Sequence, residues 1–398
     1  MSKHVSIGID IGTHFTRAVC LQDNGQESGS SIRIAGVGIS ESKGIRHGYI
    51  TNIPEAAKSI RAAIKPIEKA LVGMKMPPLC ISISGVGLSG NIFQSSSSLL
   101  KNEMEVTDND VAKVSDHLRS DMPQAFALNR RVLHSFPLQY KVDGRVIPGK
   151  PHGLKGAKLE SRTLFITCLA HHINDSIEAI ETAGYEVEDI TSSPIARGNL
   201  LLSKAEKIAG VVLVDIGAES LSVVVYENGL PVSLEVFGTG SNDITNDIAL
   251  GLKISLPEAE EIKKSIGLGR TEYPKKKLDD IIAKRLSSMF SLIEDHLKKI
   301  GKSGLLPAGV VLSGGGSEIT HIEAIAKAQL RLPARRIEER TDDGNRGQMK
   351  TSEWAGAYGA AMFSLGNDDE ESFGLKHGLA FGKRAGKNLW EWIKQFLP

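Results

Sequence analysis

Two aspartates in this chain stand in matching surroundings. Asp10 ends the apolar run Ile7-Gly8-Ile9 and leads into Ile11-Gly12-Thr13-His14. Asp215 ends Val211-Val212-Leu213-Val214 and leads into Ile216-Gly217-Ala218-Glu219-Ser220. An aspartate at a strand end, followed by a glycine turn into a second strand, aims backbone N–H groups at one point. Such a nest binds phosphate, and the carboxylate beside it can hold a hydrated Mg²⁺ through its waters. Gly12, Thr13 and His14 would form one jaw and Gly217, Ala218 and Glu219 the other, with Asp10 and Asp215 orienting phosphate and the metal's water shell. Gly314-Gly315-Gly316, followed by Ser317, lacks Cβ atoms, so a flat purine or an α-phosphate could lie close to its backbone. One Asp-x-Gly turn alone is an ordinary strand-to-turn junction. Two copies and a third glycine loop point to a phosphate-binding cleft between two halves.

The elements that must carry these turns repeat as well. About half the chain separates the two aspartates, and a strand-like run closed by Asn-Gly follows each, at Asn24-Gly25 and at Asn228-Gly229. Asn-Gly between such runs signals a type I′ turn, which needs φ > 0 at both positions. A third strand follows in each copy, over 32–39 and 231–237, so the chain reads as two related α/β domains that each open with a three-stranded meander. Helical periodicity covers 54–71, 174–183, 257–266, 278–300 and 353–365; the charge of 257–266 and 278–300 places those two at the surface. Strands at 79–84, 163–169, 187–190 and 309–312 lie between them. The stretch 85–160 differs in texture, with four consecutive serines from Ser95 and a capping-box start at Thr107 and Asp110 for a helix through Leu118. It reads as a subdomain inserted in the first domain. The pattern fails over 366–385, which reads as a linker.

Composition narrows the function classes. With 41% apolar and 24% charged residues among 398, the chain has the make-up of folded globular protein. A net charge of +1 lacks the basic footprint of a nucleic-acid binder. Cys20, Cys80 and Cys168 are scattered, which excludes a disulfide scaffold and a thiolate zinc site. Neither a signal-peptide core nor an apolar run of ~20 residues is present, so the expectation is a cytosolic chain that meets membrane only through its surface. Gly85-Val86-Gly87-Leu88-Ser89-Gly90 matches G-x-G-x-x-G, yet no helical pattern follows it, and a dinucleotide site fails on context. Gly301-Lys302-Ser303 resembles the end of a P-loop, but His296 stands where its first glycine belongs. His171-His172 shows no metal-ligand spacing, and Lys275-Lys276-Lys277 reads as a solvated loop.

The two turns and the triple glycine resemble the phosphate and adenosine motifs of the actin-like ATPase superfamily. Ala259-Glu260-Glu261-Ile262-Lys263 is similar to that superfamily's A-E-x-I-K helix, which implies that Glu260 and Lys263 contact ribose and adenine. Within the superfamily, Val132-Leu133-His134, Pro137, Gln139-Tyr140, Val142-Asp143-Gly144 and Gly153-Leu154-Lys155-Gly156 resemble the insert of the FtsA family of bacterial division proteins. The resemblance implies an actin-like α/β fold, with two ribonuclease-H-like domains around a nucleotide cleft, a small α+β insert and a C-terminal amphipathic helix. Its domains would be 1–84 with 161–195 (1A), 85–160 (1C), 196–236 with 308–365 (2A), 237–307 (2B), a linker over 366–385 and a membrane-targeting helix over 386–398. The implied cofactors are ATP and Mg²⁺. The implied partners are the FtsZ C-terminal tail on 2B, further copies of the chain in a filament, later division proteins and an anionic membrane; nucleic acid is not among them. The implied location is the cytoplasmic face of the inner membrane at the septum. Where the family carries glycines and a threonine after the second aspartate, this chain has Ala218, Glu219 and Ser220. Near His172 it lacks the water-positioning carboxylate of MreB-like relatives. A carboxylate beside a γ-phosphate repels it, so the expectation is ATP as a structural ligand with at most slow turnover.

The C-terminal segment carries a second chemistry. Trp390 and Trp392 are two of only three tryptophans in the chain. On a helix, Leu389, Trp390, Trp392, Ile393, Phe396 and Leu397 fill an arc of about 160°, opposite Lys387, Glu391, Lys394 and Gln395. An aromatic and aliphatic face flanked by lysines describes an interfacial membrane helix. Six apolar side chains at ~1–2 kcal/mol each, less the cost of ordering the helix, make one anchor weak and many anchors joined in a polymer strong. The competing readings are a soluble kinase of the same superfamily and a pilus-assembly adaptor; neither accounts for this segment.

Overall fold

A computed structural model describes residues 4–23, 32–99, 105–265, 273–337 and 352–366. Strands β1 (His4–Ile11) and β2 (Phe15–Asp23) run antiparallel with Asp10 opposite Arg17, and β3 (Ile32–Glu41) extends the meander. Asn24 and Gly25 lie outside the described residues. A small hairpin, β4 (Ile45–Arg46) and β5 (Tyr49–Ile50), precedes α1 (Ile53–Ala70). Asn52 caps α1 by accepting the Glu55 N–H, with Pro54 in the first turn, where its missing donor costs nothing. Strand β6 (Leu79–Ile83) then adds parallel to β1.

Residues 91–167 form a compact unit of their own. It is built from β7 (Leu88–Ser98), α2 (Asp108–Ser120), the short α3 (Gln124–Ala127), β8 (Arg130–Val142), β9 (Arg145–Ile147) and β10 (Lys158–Leu169), in sheet order β7-β10-β8-β9. The serine run is the end of β7, alternating half-buried and exposed. Thr107 and Asp110 make the reciprocal capping box that their spacing predicts. Val106, Val114, Leu118, Leu159 and Phe165 fill the core of this unit.

The larger unit resumes with α4 (Ala170–Thr182), β11 (Val187–Ser192), α5 (Ser193–Leu201) and α6 (Lys204–Ala209). A second meander follows, β12 (Val211–Ile216), β13 (Leu221–Glu227) and β14 (Leu230–Phe237), turning at Asn228 and Gly229, both at positive φ. Then come α7 (Ser241–Leu252), α8 (Leu256–Ser265), α9 (Lys275–Lys299), β15 (Val310–Ser313), a 3-10 turn at Gly315–Glu318, α10 (Ile322–Leu330), β16 (Ala334–Arg336) and α11 (Ala355–Leu365). The two large sheets have the same topology, β3-β2-β1-β6-β11 and β14-β13-β12-β15-β16: a meander whose first strand receives a parallel neighbour, which in turn receives another. Helix α5 leads from the first sheet to the second.

Packing decides two features that spacing left open. Helix α9 is rich in charge, yet Leu278, Ile282, Leu286, Met289, Phe290, Ile293 and Leu297 form one buried stripe against the second sheet. Composition counts charges without asking which face carries them, and the 3.6-residue period puts all seven apolar residues on one side. Helix α11 lies so close to β1 that a Cβ at Gly8 would fall on the backbone of Ala357 and Ala361. Its small residues permit that approach. No helix among the described residues is long and apolar enough to cross a membrane. The segment 386–398, with Lys387, Leu389, Trp390, Trp392, Ile393, Phe396 and Leu397, lies outside the described residues.

Candidate functional site

The duplicated strands place two identical turns. Gly12 N–H donates to Phe15 O at 3.1 Å, and Gly217 N–H donates to Ser220 O at 2.8 Å. Asp10 opposes Arg17 one residue pair inside the first strand end, as Asp215 opposes Ser222 inside the second. Thr13, His14, Ala218 and Glu219 line one cavity of about 350 Å³, together with Lys43 and Arg46.

The β4–β5 hairpin fastens both turns. Gly48 N–H donates to Thr13 Oγ1 at 3.1 Å on the first. On the second, the buried Glu219 carboxylate accepts from Arg46 Nη1 and from His47 N–H, each at 2.8 Å. Burial works against the Glu219 charge, but the His47 and Arg46 bonds overcome it and hold its pKa below the usual 4.5. Spacing alone left this carboxylate facing the incoming phosphate; in the fold its charge is taken up by Arg46 and the hairpin backbone.

Asp10 and Asp215 converge on a residue that the motifs do not include. Arg197, in the connecting helix α5, places Nη2 2.9 Å from Asp10 Oδ2 and Nη1 3.3 Å from Asp215 Oδ1. Its Nη1 also donates to Ser352 O at 2.6 Å, and its Nε to Ser193 Oγ at 3.2 Å. Ser313 Oγ donates to Asp215 Oδ1 at 2.8 Å. Burial opposes the guanidinium charge, and Asp215 and Asp10 outweigh it, so the Arg197 pKa is raised. Arg197 is therefore a fixed cation. Arg17, which pairs with Glu353 at 2.8 Å, is the cross-strand neighbour of Asp10.

This arrangement does not fit a Mg²⁺ held by the two aspartates. Two guanidinium groups already face Asp10, Asp215 and Glu353, so the attraction left for a cation is that of one carboxylate. The place between the two aspartates that such an ion would take is held by the Arg197 guanidinium, 2.9 Å from Asp10 Oδ2 and 3.3 Å from Asp215 Oδ1. Asp10 Oδ1 is sealed from solvent without a hydrogen bond, and a Cβ at Gly356 of α11 would fall on the same carboxylate. Among the described residues, no three His, Cys, Asp or Glu side chains converge as a metal site.

The residues expected around adenosine do not line this cavity. Glu260 and Lys263 share one face of α8, with Lys263 Nζ 2.6 Å from Glu260 Oε2, 2.8 Å from Thr245 Oγ1 and 3.2 Å from Ser241 O. Thr245 Oγ1 in turn donates to Glu260 Oε2 at 2.6 Å. Gly314, at φ 83°, and Gly316 both pack against Ile216, where a Cβ would collide; Gly315 alone faces open space. Ser317 Oγ turns inward to Gly314 O at 2.7 Å. His172 packs on the Tyr49 ring at 4.6 Å, and burial pushes its pKa down to about 4, so it is a neutral imidazole.

Sequence reasoning missed Arg197, Arg46 and Thr245. Arg197 had one available signal, because it is the single charged residue between Asp189 and Lys204 in an otherwise small and apolar stretch. Nothing in the spacing marks Arg46 or Thr245.

Comparison with known proteins agrees with this architecture. The model of the family "Cell division protein FtsA" matches residues 212–359, and that of the "SHS2 domain inserted in FTSA" matches 91–167. Together they span more than half of the chain. The Cell division protein FtsA of Pseudomonas aeruginosa is 28% identical over 357 residues, covering 84% of this chain and 83% of that protein. That of Bacillus subtilis is 28% identical over 346 residues, covering 82% and 77%. Among solved structures, a chain of the PilM-PilN type IV pilus biogenesis complex shares the fold with a TM-score of 0.67 at 17% identity, covering 90% of this chain and 98% of that one. The duplicated sheets, the insert and both family matches agree: the chain belongs to the FtsA family of cell division proteins, with the actin-like fold.

Proposed function

We propose that this chain is an ATP-binding, filament-forming adaptor that ties FtsZ to the cytoplasmic membrane at the division septum and helps to bring later division proteins there. The observation that carries the nucleotide part is the convergence of two identical glycine turns on one cavity, each pinned by the same hairpin. Gly12 and Gly217 spend their own N–H groups closing the turns, so the amides of the residues that follow them would meet phosphate, at little ordering cost. Glu260 and Lys263 would meet the ribose and adenine, and Gly12, Thr13, His14, Gly217 and Ala218 the phosphates. Gly315 is the part of the glycine loop open to approach. Turnover is slow in this reading, since His172 is a neutral packed imidazole and no carboxylate replaces it there. ATP acts as a clamp that favours assembly, and assembly multiplies the weak anchor of 386–398. FtsZ would dock through its C-terminal tail on 237–307, and 85–160 would serve contacts along the filament and with later division proteins.

Co-sedimentation with liposomes rich in anionic lipid tests the adaptor reading, comparing the full chain with a truncation ending at Ala385 and with Trp390→Ala/Trp392→Ala. Pelleting is expected to require the intact segment and to rise with ATP-dependent assembly. Equal pelleting of all three would remove the reading, and substrate-stimulated phosphate transfer would replace it with a kinase.

A further inference from the structure

Arg197 is unlike an ordinary surface arginine in each respect that matters for a binding site. Its side chain is only 9% exposed. It sits on α5, the segment that joins the two sheets, and it touches the aspartate at the end of the first strand of each. Its Nε, Nη1 and Nη2 are spent on Ser193, Ser352, Asp215 and Asp10, which holds the guanidinium plane in one orientation. Lysine could not replace it, because one ammonium cannot reach acceptors spread along a planar fork. Small residues close over the group: Gly356 abuts Asp10, and Gly359 abuts the Ala196 carbonyl of α5.

We propose that Arg197 stands in for a divalent cation, supplying the positive charge that joins Asp10 to Asp215, so that the cleft binds ATP without Mg²⁺. The inference rests on the nucleotide-cleft reading for its ATP arm only. With one of their two charges matched by a resident guanidinium, the two aspartates repel the phosphates less, and the turns do the holding. A metal held through its waters would have to compete with Arg197 and Ser313 for the carboxylate oxygens, while Asp10 Oδ1, which makes no hydrogen bond, is sealed from solvent. Arg197 is thus a positioning residue, acting through the aspartates rather than on the nucleotide.

The test uses the purified full chain and the variants Arg197→Gln and Arg197→Lys, each titrated with ATP in about 5 mM MgCl₂ and again in EDTA. The wild-type affinity is expected to change by less than about threefold between the two conditions. In Arg197→Gln, ATP affinity in EDTA is expected to fall by more than about tenfold and to recover with Mg²⁺, as two uncompensated carboxylates acquire a use for the ion. A second arm needs no nucleotide: about 10 mM MgCl₂ should leave the wild-type melting temperature unchanged and raise that of Arg197→Gln by several degrees, because a ligand stabilises only the fold that binds it. Should Arg197→Gln fail to fold, the wild-type arms decide alone, and Arg197→Lys, which keeps the charge but loses the fork, is expected to shift in the same directions by less than Arg197→Gln. A wild-type chain that needs Mg²⁺ for ATP, or that Mg²⁺ alone stabilises, overturns the proposal. So does a variant indifferent to the metal. If ATP binds under neither condition, the nucleotide-cleft reading falls, while the melting arm still decides the role of Arg197.

Discussion

Glu219→Ala releases the β4–β5 hairpin from the second turn, and its cost can be worked from the contacts. The carboxylate is 9% exposed and accepts two hydrogen bonds, from Arg46 Nη1 and from His47 N–H. Hydrogen bonds to a charged group contribute roughly 1.5–3 kcal/mol each. The Arg46 side chain is 72% exposed, so its share shrinks to about 1 kcal/mol or less. The His47 amide loses its acceptor altogether. Glu219→Ala should therefore cost about 2–3 kcal/mol, while Arg46→Ala costs about 1 kcal/mol or less. Denaturant unfolding measures both, and amide exchange at His47 and Gly48 reports whether the hairpin is freed locally. The dependence on pH has a definite sign. The Glu219 pKa lies below its ordinary 4.5, so its contribution is complete above the unfolded value and is lost as pH falls through the folded one. Glu219→Gln should flatten the acid limb over that range. Unchanged stability and unchanged exchange at His47 in Glu219→Ala would show that the hairpin is held by something else, and the account of the turn pair would be wrong.

Two further outcomes follow from burial. His134, His172 and His296 all have pKa values pushed down to about 4, chiefly by burial, so each is neutral in the fold and charges more readily in the unfolded chain. Stability should be full above about pH 6.5 and decline as pH falls toward 4, and unfolding curves that stay flat through that window would refute it. Leu286, fully buried on the apolar stripe of α9, should cost about 2–5 kcal/mol as alanine, while Leu250, 78% exposed, should change denaturant stability by less than about 0.5 kcal/mol.

Much of this molecule is written in short-range pattern. The repeated Asp-x-Gly turns, the Asn228-Gly229 hairpin and the Thr107–Asp110 capping box are each settled within a few residues, because backbone geometry and local hydrogen bonds depend on immediate neighbours. Periodicity located the longer helices and the strands of both sheets except β16 for the same reason, but not α5, α7 or α10, and the doubled meander already implied two halves facing a cleft. What lies across the fold was not legible. Arg197 meets Asp10 across 187 positions of sequence, and Arg46 meets Glu219 across 173. Spacing left Asp10 and Asp215 free to hold a metal, and left Glu219 aimed at phosphate, because a charge in a sequence has no partner until distant faces pack together. Glycine shows the same divide. Gly314 and Gly316 were legible as a loop that something could approach, but only the packed strand end at Ile216 shows that the approaching group is the protein's own backbone and side chain. Local chemistry thus determined where the turns stand, and the tertiary structure decided which charges reach them, since electrostatic pairing is set by distance in space and sequence order does not contain it.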